Sequence, residues 1–266
     1  MSKVRRVLVR HDALMVVRRD VVVGGRRISA RTSGLPAPAG APAVVLVHGL
    51  GMSGRSMLPT LRLLAPEFRV WAPDLPGFGD SARPRRALSL AELADALTGW
   101  MDAVGLPRAA MLGNSLGCQV IGHVATRWPG RLTRAVLVGP TRDPQARTPL
   151  RQAGRLLLDA PREAPSLIPL ATFDYLRAGP ARMWQTLRDA LDVAVEQRAP
   201  HVQVPVLVVR GEHDPIVPQC WAQQLTDPLP NGRLVVVPGA AHAVNYSAPA
   251  ALVEAVRPFL DVDRGR

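Results

Sequence analysis

Ala109-Ala110-Met111-Leu112 runs into Gly113-Asn114-Ser115-Leu116-Gly117, and Val120, Ile121, Val124, Ala125 and Trp128 follow at helical spacing until Pro129-Gly130. An apolar run, a G-x-S-x-G pentapeptide and an amphipathic stretch read as strand, tight turn and helix. So abrupt a turn puts its central residue in a strained backbone conformation. The flanking glycines are needed because side chains there would strike the neighbouring strand and helix. Ser115 is then expected above the end of a strand, at the positive end of a helix.

Similar apolar runs recur on both sides. Val44-Val45-Leu46-Val47 ends at His48-Gly49, Arg69-Val70-Trp71-Ala72 at Pro73-Asp74, and Ala135-Val136-Leu137-Val138 at Gly139-Pro140. Val206 to Val209 ends at Arg210-Gly211, and Leu234 to Val237 at Pro238-Gly239. None alternates apolar with polar, which is the pattern of a strand covered on both faces in a parallel sheet. Helical stretches lie between them. In residues 90–104, Leu90, Leu93, Leu97, Met101 and Val104 form one stripe, with Ser89 and Glu92 placed for a capping box. The last helix has Leu252, Val256 and Phe259 facing inward, Pro249 in its first turn and Ser247 as its expected cap. The alternation predicts an α/β fold: a doubly wound, mostly parallel sheet. Val21-Val22-Val23, Gly24-Gly25 and Arg26 to Arg31 add a β-hairpin. The first 19 or so residues lie outside this pattern and could supply an edge strand.

Residues 141–200 break the rhythm with three amphipathic pieces, near 149–159, 163–176 and 181–196, divided by Pro161, Pro165, Gly179 and Pro180. The expected organisation is a core of residues 1–140 and 201–266 with a helical cap, or lid, of residues 141–200.

The formal charge of +12 raises nucleic acid or an anionic membrane as a partner. However, Lys3 is the only lysine, and the arginines are scattered singly, as at Arg62, Arg83, Arg108, Arg127, Arg134 and Arg155. Even the N-terminal set of Lys3, Arg5, Arg6, Arg10, Arg18, Arg19, Arg26 and Arg27 alternates with Val and Leu, as exposed strand faces do. No specific nucleic-acid partner is expected. Cys118 and Cys220 form neither a zinc spacing nor a disulfide framework, so no metal is expected. Arg10, His11, Asp12, Arg18 and Arg19 interrupt any signal-peptide core, and no apolar run approaches membrane-spanning length. A soluble, cytoplasmic protein is the expectation; oligomeric state is not legible.

A serine hydroxyl becomes nucleophilic when a base takes its proton. Of six histidines, His242 alone stands between the last strand and the last helix, on the sheet edge expected for Ser115. His48 is expected to hold its own loop, and His123 to pack or be exposed within the helix after Ser115. The acid that orients His242 is expected at Asp214, after Arg210-Gly211-Glu212-His213; Asp143 and Glu212 are alternatives. Acyl transfer also needs oxyanion donors. Leu116 N–H is one, and the loop His48-Gly49-Leu50-Gly51 should give the other, Leu50 first and Gly51 second.

His48-Gly49, the segment Asp74-Leu75-Pro76-Gly77-Phe78-Gly79-Asp80-Ser81, the turn at Ser115, Gly211-Glu212-His213-Asp214 and Gly239-Ala240-Ala241-His242 occur in this order. In these motifs the chain resembles the α/β-hydrolase fold family over roughly residues 20–261. The resemblance implies a Ser115–His242–Asp214 triad, a helical cap between the sixth and seventh strands, and no cofactor. It implies a hydrolase acting through an acyl-enzyme on a carboxylic ester or related lactone or thioester. Dehalogenases and epoxide hydrolases of this fold carry Asp where Ser115 stands. Meta-cleavage C–C hydrolases share Gly113-Asn114-Ser115 but carry a glycine-richer loop than Leu50-Gly51-Met52-Ser53-Gly54, so the C–C reading stays an alternative. A non-catalytic ligand-binding homologue is another. Leu167, Ile168, Leu170, Phe173, Tyr175, Met183 and Trp184 give the cap an apolar lining, with Phe173, Met183 and Trp184 as candidate contacts to an apolar small-molecule acyl substrate.

Overall fold

The computed structural model describes residues 7–9, 15–141, 143–146, 148–192 and 197–261. Its strands are β1 (Val7–Val9), β2 (Val16–Val23), β3 (Arg26–Ser33), β4 (Ala43–Val47), β5 (Arg69–Pro73), β6 (Ala109–Asn114), β7 (Leu132–Val138), β8 (Val206–Gly211) and β9 (Gly232–Val237). They form one sheet in the order β1-β2-β3-β5-β4-β6-β7-β8-β9. The turn between β2 and β3 places both Gly24 and Gly25 at positive φ, which sets the register Val23↔Arg26. β1 adds the edge strand, antiparallel to β2, and moves every later strand number up by one. From β5 to β9 all pairings are parallel.

The apolar runs fail to alternate because both faces of the sheet are covered. Val45 and Val47 pack with helices α2 (Leu90–Ala103), α3 (Leu116–Arg127) and α7 (Gln219–Thr226). Val44 and Leu46 pack on the other side with α1 (Leu58–Leu64) and α9 (Pro249–Leu260). Strand order reverses between β4 and β6, and in such sheets ligands bind outside the strands' carboxyl ends at that switch point.

The Ser89–Glu92 capping box forms at α2. The cap expected for the last helix does not. Ala248 precedes α9 with no side-chain cap, and Ser247 instead closes the short helix α8 (Val244–Ser247). Its hydroxyl is engaged with Glu163 and with the Ala164 N–H, so a tertiary contact has displaced the local one.

Between β7 and β8 stand α4 (Pro149–Asp159), α5 (Leu167–Ala178) and α6 (Pro180–Asp192). The end of the third amphipathic piece, 193–196, lies outside the described residues. This insertion is tied down by polar contacts. Ser53 Oγ donates to Asp174 Oδ2 at 2.6 Å, Arg55 pairs with Asp174 at 3.1 Å, and Leu90 N–H donates to Asp189 at 2.6 Å. Among the described residues no helix is long and apolar enough to cross a membrane.

Candidate active site

Ser115 has φ 55° and ψ −117°, the only positive φ of a non-glycine among the described residues. The geometry shows why the glycines are there. A Cβ at Gly113 would lie 2.6 Å from the Gly117 carbonyl carbon, and one at Gly117 would lie 2.3 Å from Val47 O. Both obstacles are backbone and cannot turn aside. Ser115 N–H donates to Val138 O at 2.9 Å, which pins the turn to the end of β7.

The His48–Gly51 loop closes against this turn. A Cβ at Gly49 would come within 3.3 Å of Ser115 Cβ. His48 is fully buried; its Nε2 accepts the Leu75 N–H at 3.0 Å and its Nδ1 faces Gly49 O at 2.9 Å. Burial pushes its pKa down, against the raising effects of Asp74 and the Gly49 bond, so the neutral ring acts as a brace for the loop. Among the described residues neither Leu50 N–H nor Leu116 N–H is spent on another hydrogen bond.

His242 and Asp214 meet as the sequence suggested: Nδ1 and Oδ2 are 2.8 Å apart, both side chains buried. Asp214 Oδ1 accepts the N–H groups of Ile216 and Val217 at 2.8 and 3.0 Å, which fixes the carboxylate. Burial pushes the His242 imidazolium down, but the charge and hydrogen bond of Asp214 outweigh it and hold the group at about 9. Gly139, with φ 57°, makes room for the ring, since a Cβ there would lie 2.8 Å from His242 Cε1. Asn114 Nδ2 donates to His242 O at 3.3 Å, so the residue beside Ser115 holds the histidine's own backbone. Between Ser115 Oγ and the ring no hydrogen bond is closed among the described residues.

The other acids are occupied elsewhere. Asp143 pairs with Arg155 at 2.7 Å, and Glu212 Oε2 accepts the Gly239 N–H at 2.8 Å. The three apolar candidates separate. Met183 Sδ and the Tyr175 ring sit where a Cβ on Gly51 would be, at 2.4 and 2.6 Å from it. Phe173 and Trp184 are 51% and 53% exposed, and Phe173 has the guanidinium groups of Arg55 and Arg177 over its ring at 5.4 and 5.9 Å.

Two residues went unnoticed in the sequence. Asp159, at the end of α4, accepts the His242 N–H at 3.1 Å, and Glu163 accepts the Ala243 N–H at 2.6 Å. Their spacing of four on an otherwise amphipathic stretch is that of an ordinary solvated helix face, so no local signal marked them.

Known hydrolases are similar to this chain in sequence and in fold. The chain is 30% identical to "Putative carbamate hydrolase RutD" of Caulobacter sp. over 82% of its own length and 90% of the relative's. It is 27% identical to carboxylesterase YbfK of Bacillus subtilis, covering 84% of this chain and 81% of that one. The crystal structure of the enol-lactonase from Burkholderia xenovorans superposes with a TM-score of 0.73 at 25% identity, covering 91% of this chain and 99% of that one. The sequence profile described as "Alpha/beta hydrolase family" matches residues 44–255, from the strand before His48 to the last helix. The chain therefore belongs to the alpha/beta hydrolase family and is a hydrolase.

Proposed function

We propose that the protein is a serine hydrolase that cleaves a carboxylic ester, or a related lactone or thioester, through an acyl-enzyme. The observation that carries this reading is the strained Ser115 on the same sheet edge as a buried His242–Asp214 pair. In this reading Ser115 Oγ attacks the carbonyl carbon while His242 Nε2 takes its proton. Asp214 keeps the remaining proton on Nδ1, so Nε2 is the nitrogen free to act as base. The N–H groups of Leu50 and Leu116 receive the oxyanion. His242 then protonates the leaving group, and a water activated by His242 releases the acid. The carbonyl centres named for the relatives, in a carbamate, a carboxylic ester and an enol lactone, all react through such a tetrahedral intermediate.

Residues 141–200 act as a cap over a core of 1–140 and 201–266. Met183 and Tyr175 against Gly51 support this, since they lie against the His48–Gly51 loop. They also favour an apolar acyl group beside that loop. Labelling with a fluorophosphonate probe tests the reading. One label on Ser115 is expected, with none in Ser115→Ala, whose ester hydrolysis should fall by several orders of magnitude. Near-normal turnover by that variant would exclude the mechanism, and absence of any labelling would favour a ligand-binding role.

A further inference from the structure

The loop that carries His242 is gripped by its backbone from the insertion. Asp159 closes α4, and Glu163 follows the single turn Ala160–Arg162. Between them they accept the two successive N–H groups of His242 and Ala243, at 3.1 and 2.6 Å. Glu163 Oε2 also takes the Ser247 hydroxyl, whose oxygen accepts the Ala164 N–H at 2.9 Å. Both carboxyl groups are buried. The charge of Glu163 raises the neighbouring Asp159 carboxyl.

We propose that Asp159 and Glu163 form a carboxyl pair that positions the His242 base from the insertion through its backbone and adds negative charge beside it. The proposal rests on the reading of His242 as the catalytic base. Its physical content is simple. The ring of His242 is fixed by Asp214, its carbonyl by Asn114 and its N–H by Asp159, so imidazole and backbone are held from three separate elements. A base that must reach Ser115 within a few tenths of an ångström depends on such support.

The charge follows from the same contacts. Asp159 is faced by Glu163 on its own segment, by His242 across the contact and by Tyr175 on α5. Tyr175 is raised by burial and by the charges of Asp174 and Asp159, so it is neutral in the range that matters. Burial first, then the Glu163 charge, lift Asp159 to about 7 against the opposing pull of His242. Below that pH Asp159 is uncharged. Above it a further carboxylate charge favours the imidazolium, and a protonated His242 cannot accept the serine proton. Removing the titrating carboxyl should therefore free His242 to work at lower pH.

Asp159→Asn is the decisive variant, because the amide keeps an acceptor for His242 N–H but never ionises. Its acid limb of kcat/KM should move to lower pH by roughly half a unit or more. Asp159→Ala should lower kcat about tenfold with KM little changed, and the Asn variant should recover most of that loss. The His242 ring should be titrated by nitrogen NMR in Ser115→Ala and again in Ser115→Ala with Asp159→Asn, which reads the pair without any turnover. A downward shift is expected. Unchanged titration and an unchanged pH profile would overturn the proposal, as would wild-type kcat in a folded Asp159→Ala. If that variant does not fold, Glu163→Gln and the Asn titration still decide. Retained turnover in Ser115→Ala would overturn the serine reading alone, leaving the titration to judge the pair.

Discussion

An amide at position 214 would keep the shape of the side chain and abolish its charge. In the proposed mechanism the imidazolium that forms as Ser115 gives up its proton would then lose its buried partner, and the amide N–H could stabilise the wrong tautomer of His242. Asp214→Asn should lower kcat by about four orders of magnitude. Asp143→Asn should leave turnover near normal, because Asp143 is held by Arg155 and not by the histidine. Reversed phenotypes in ester assays would move the acid to position 143. The pair has a second consequence. His242 is raised in the folded state, so its bond to Asp214 stabilises the fold in full below the ordinary imidazole pKa of about 6.5 and less as pH rises through about 9. The difference in unfolding free energy between wild type and Asp214→Asn should shrink between pH 6 and pH 9.5 in urea titrations. These residues were legible in the sequence because each lies within a few positions of a strand end and the sheet brings strand ends together. Asp159 and Glu163 were not. Their partners lie 83 and 80 positions away, and only the folded insertion brings them into contact.

At the level of elements, strands and helices were legible wherever periodicity and burial agree. The two-faced strands β4, β6 and β8 are fully buried along their length, as unbroken apolar runs demand. Ser247 shows the limit: a sound local cap signal is lost to a buried carboxylate from the connection between α4 and α5. The insertion shows the same limit. Amphipathicity identified its three helices but could not tell which apolar side chains would turn inward. Met183 on α6 reaches Gly51, whereas its neighbour Trp184 points away by one residue's rotation and is half exposed. Met183→Ala should therefore lower kcat/KM for a long-chain ester roughly tenfold and for an acetate ester little, since burying such a side chain is worth about 1.5–3 kcal/mol. Trp184→Ala should be milder on both. Equal losses on the two substrates would assign Met183 to support of the loop and not to acyl selection.

Across the whole molecule, the excess of arginine is spent partly on joining its pieces. Asp80 lies within 4 Å of Arg18 on β2, Arg31 on β3, Arg55 before α1 and Arg177 on α5, so one carboxylate ties the edge strands, the core and the insertion together. Burial pushes its pKa up, but Arg55, Arg31, Arg177 and Arg18 together hold it below its ordinary value. A depressed carboxyl stabilises the fold above its unfolded value of 3.8, and that contribution is lost as pH falls through the folded value. Asp80→Asn should cost about 2 kcal/mol at pH 7, because four guanidinium groups lose a shared carboxylate, although Arg31 keeps Asp74 and Arg55 keeps Asp174. Wild type and variant should converge as pH drops below about 4. A constant gap in acid and neutral urea titrations would show that packing, and not charge, makes this joint.

The connection between β7 and β8 has a bearing on how such enzymes diversify. The described helices of the insertion end at Asp192, whereas Ala199 and Val202, beside β8, are buried in the main core. Ala190 on α6 is buried in that same core, so residues 149–192 can be exchanged as a cassette only if that contact is kept. New substrates can be reached by swapping or grafting that cassette while every strand stays in register. The exchange carries a second condition. Any incoming cassette must bring its own acceptors for the N–H groups of His242 and Ala243, or the graft will fold with a loose base.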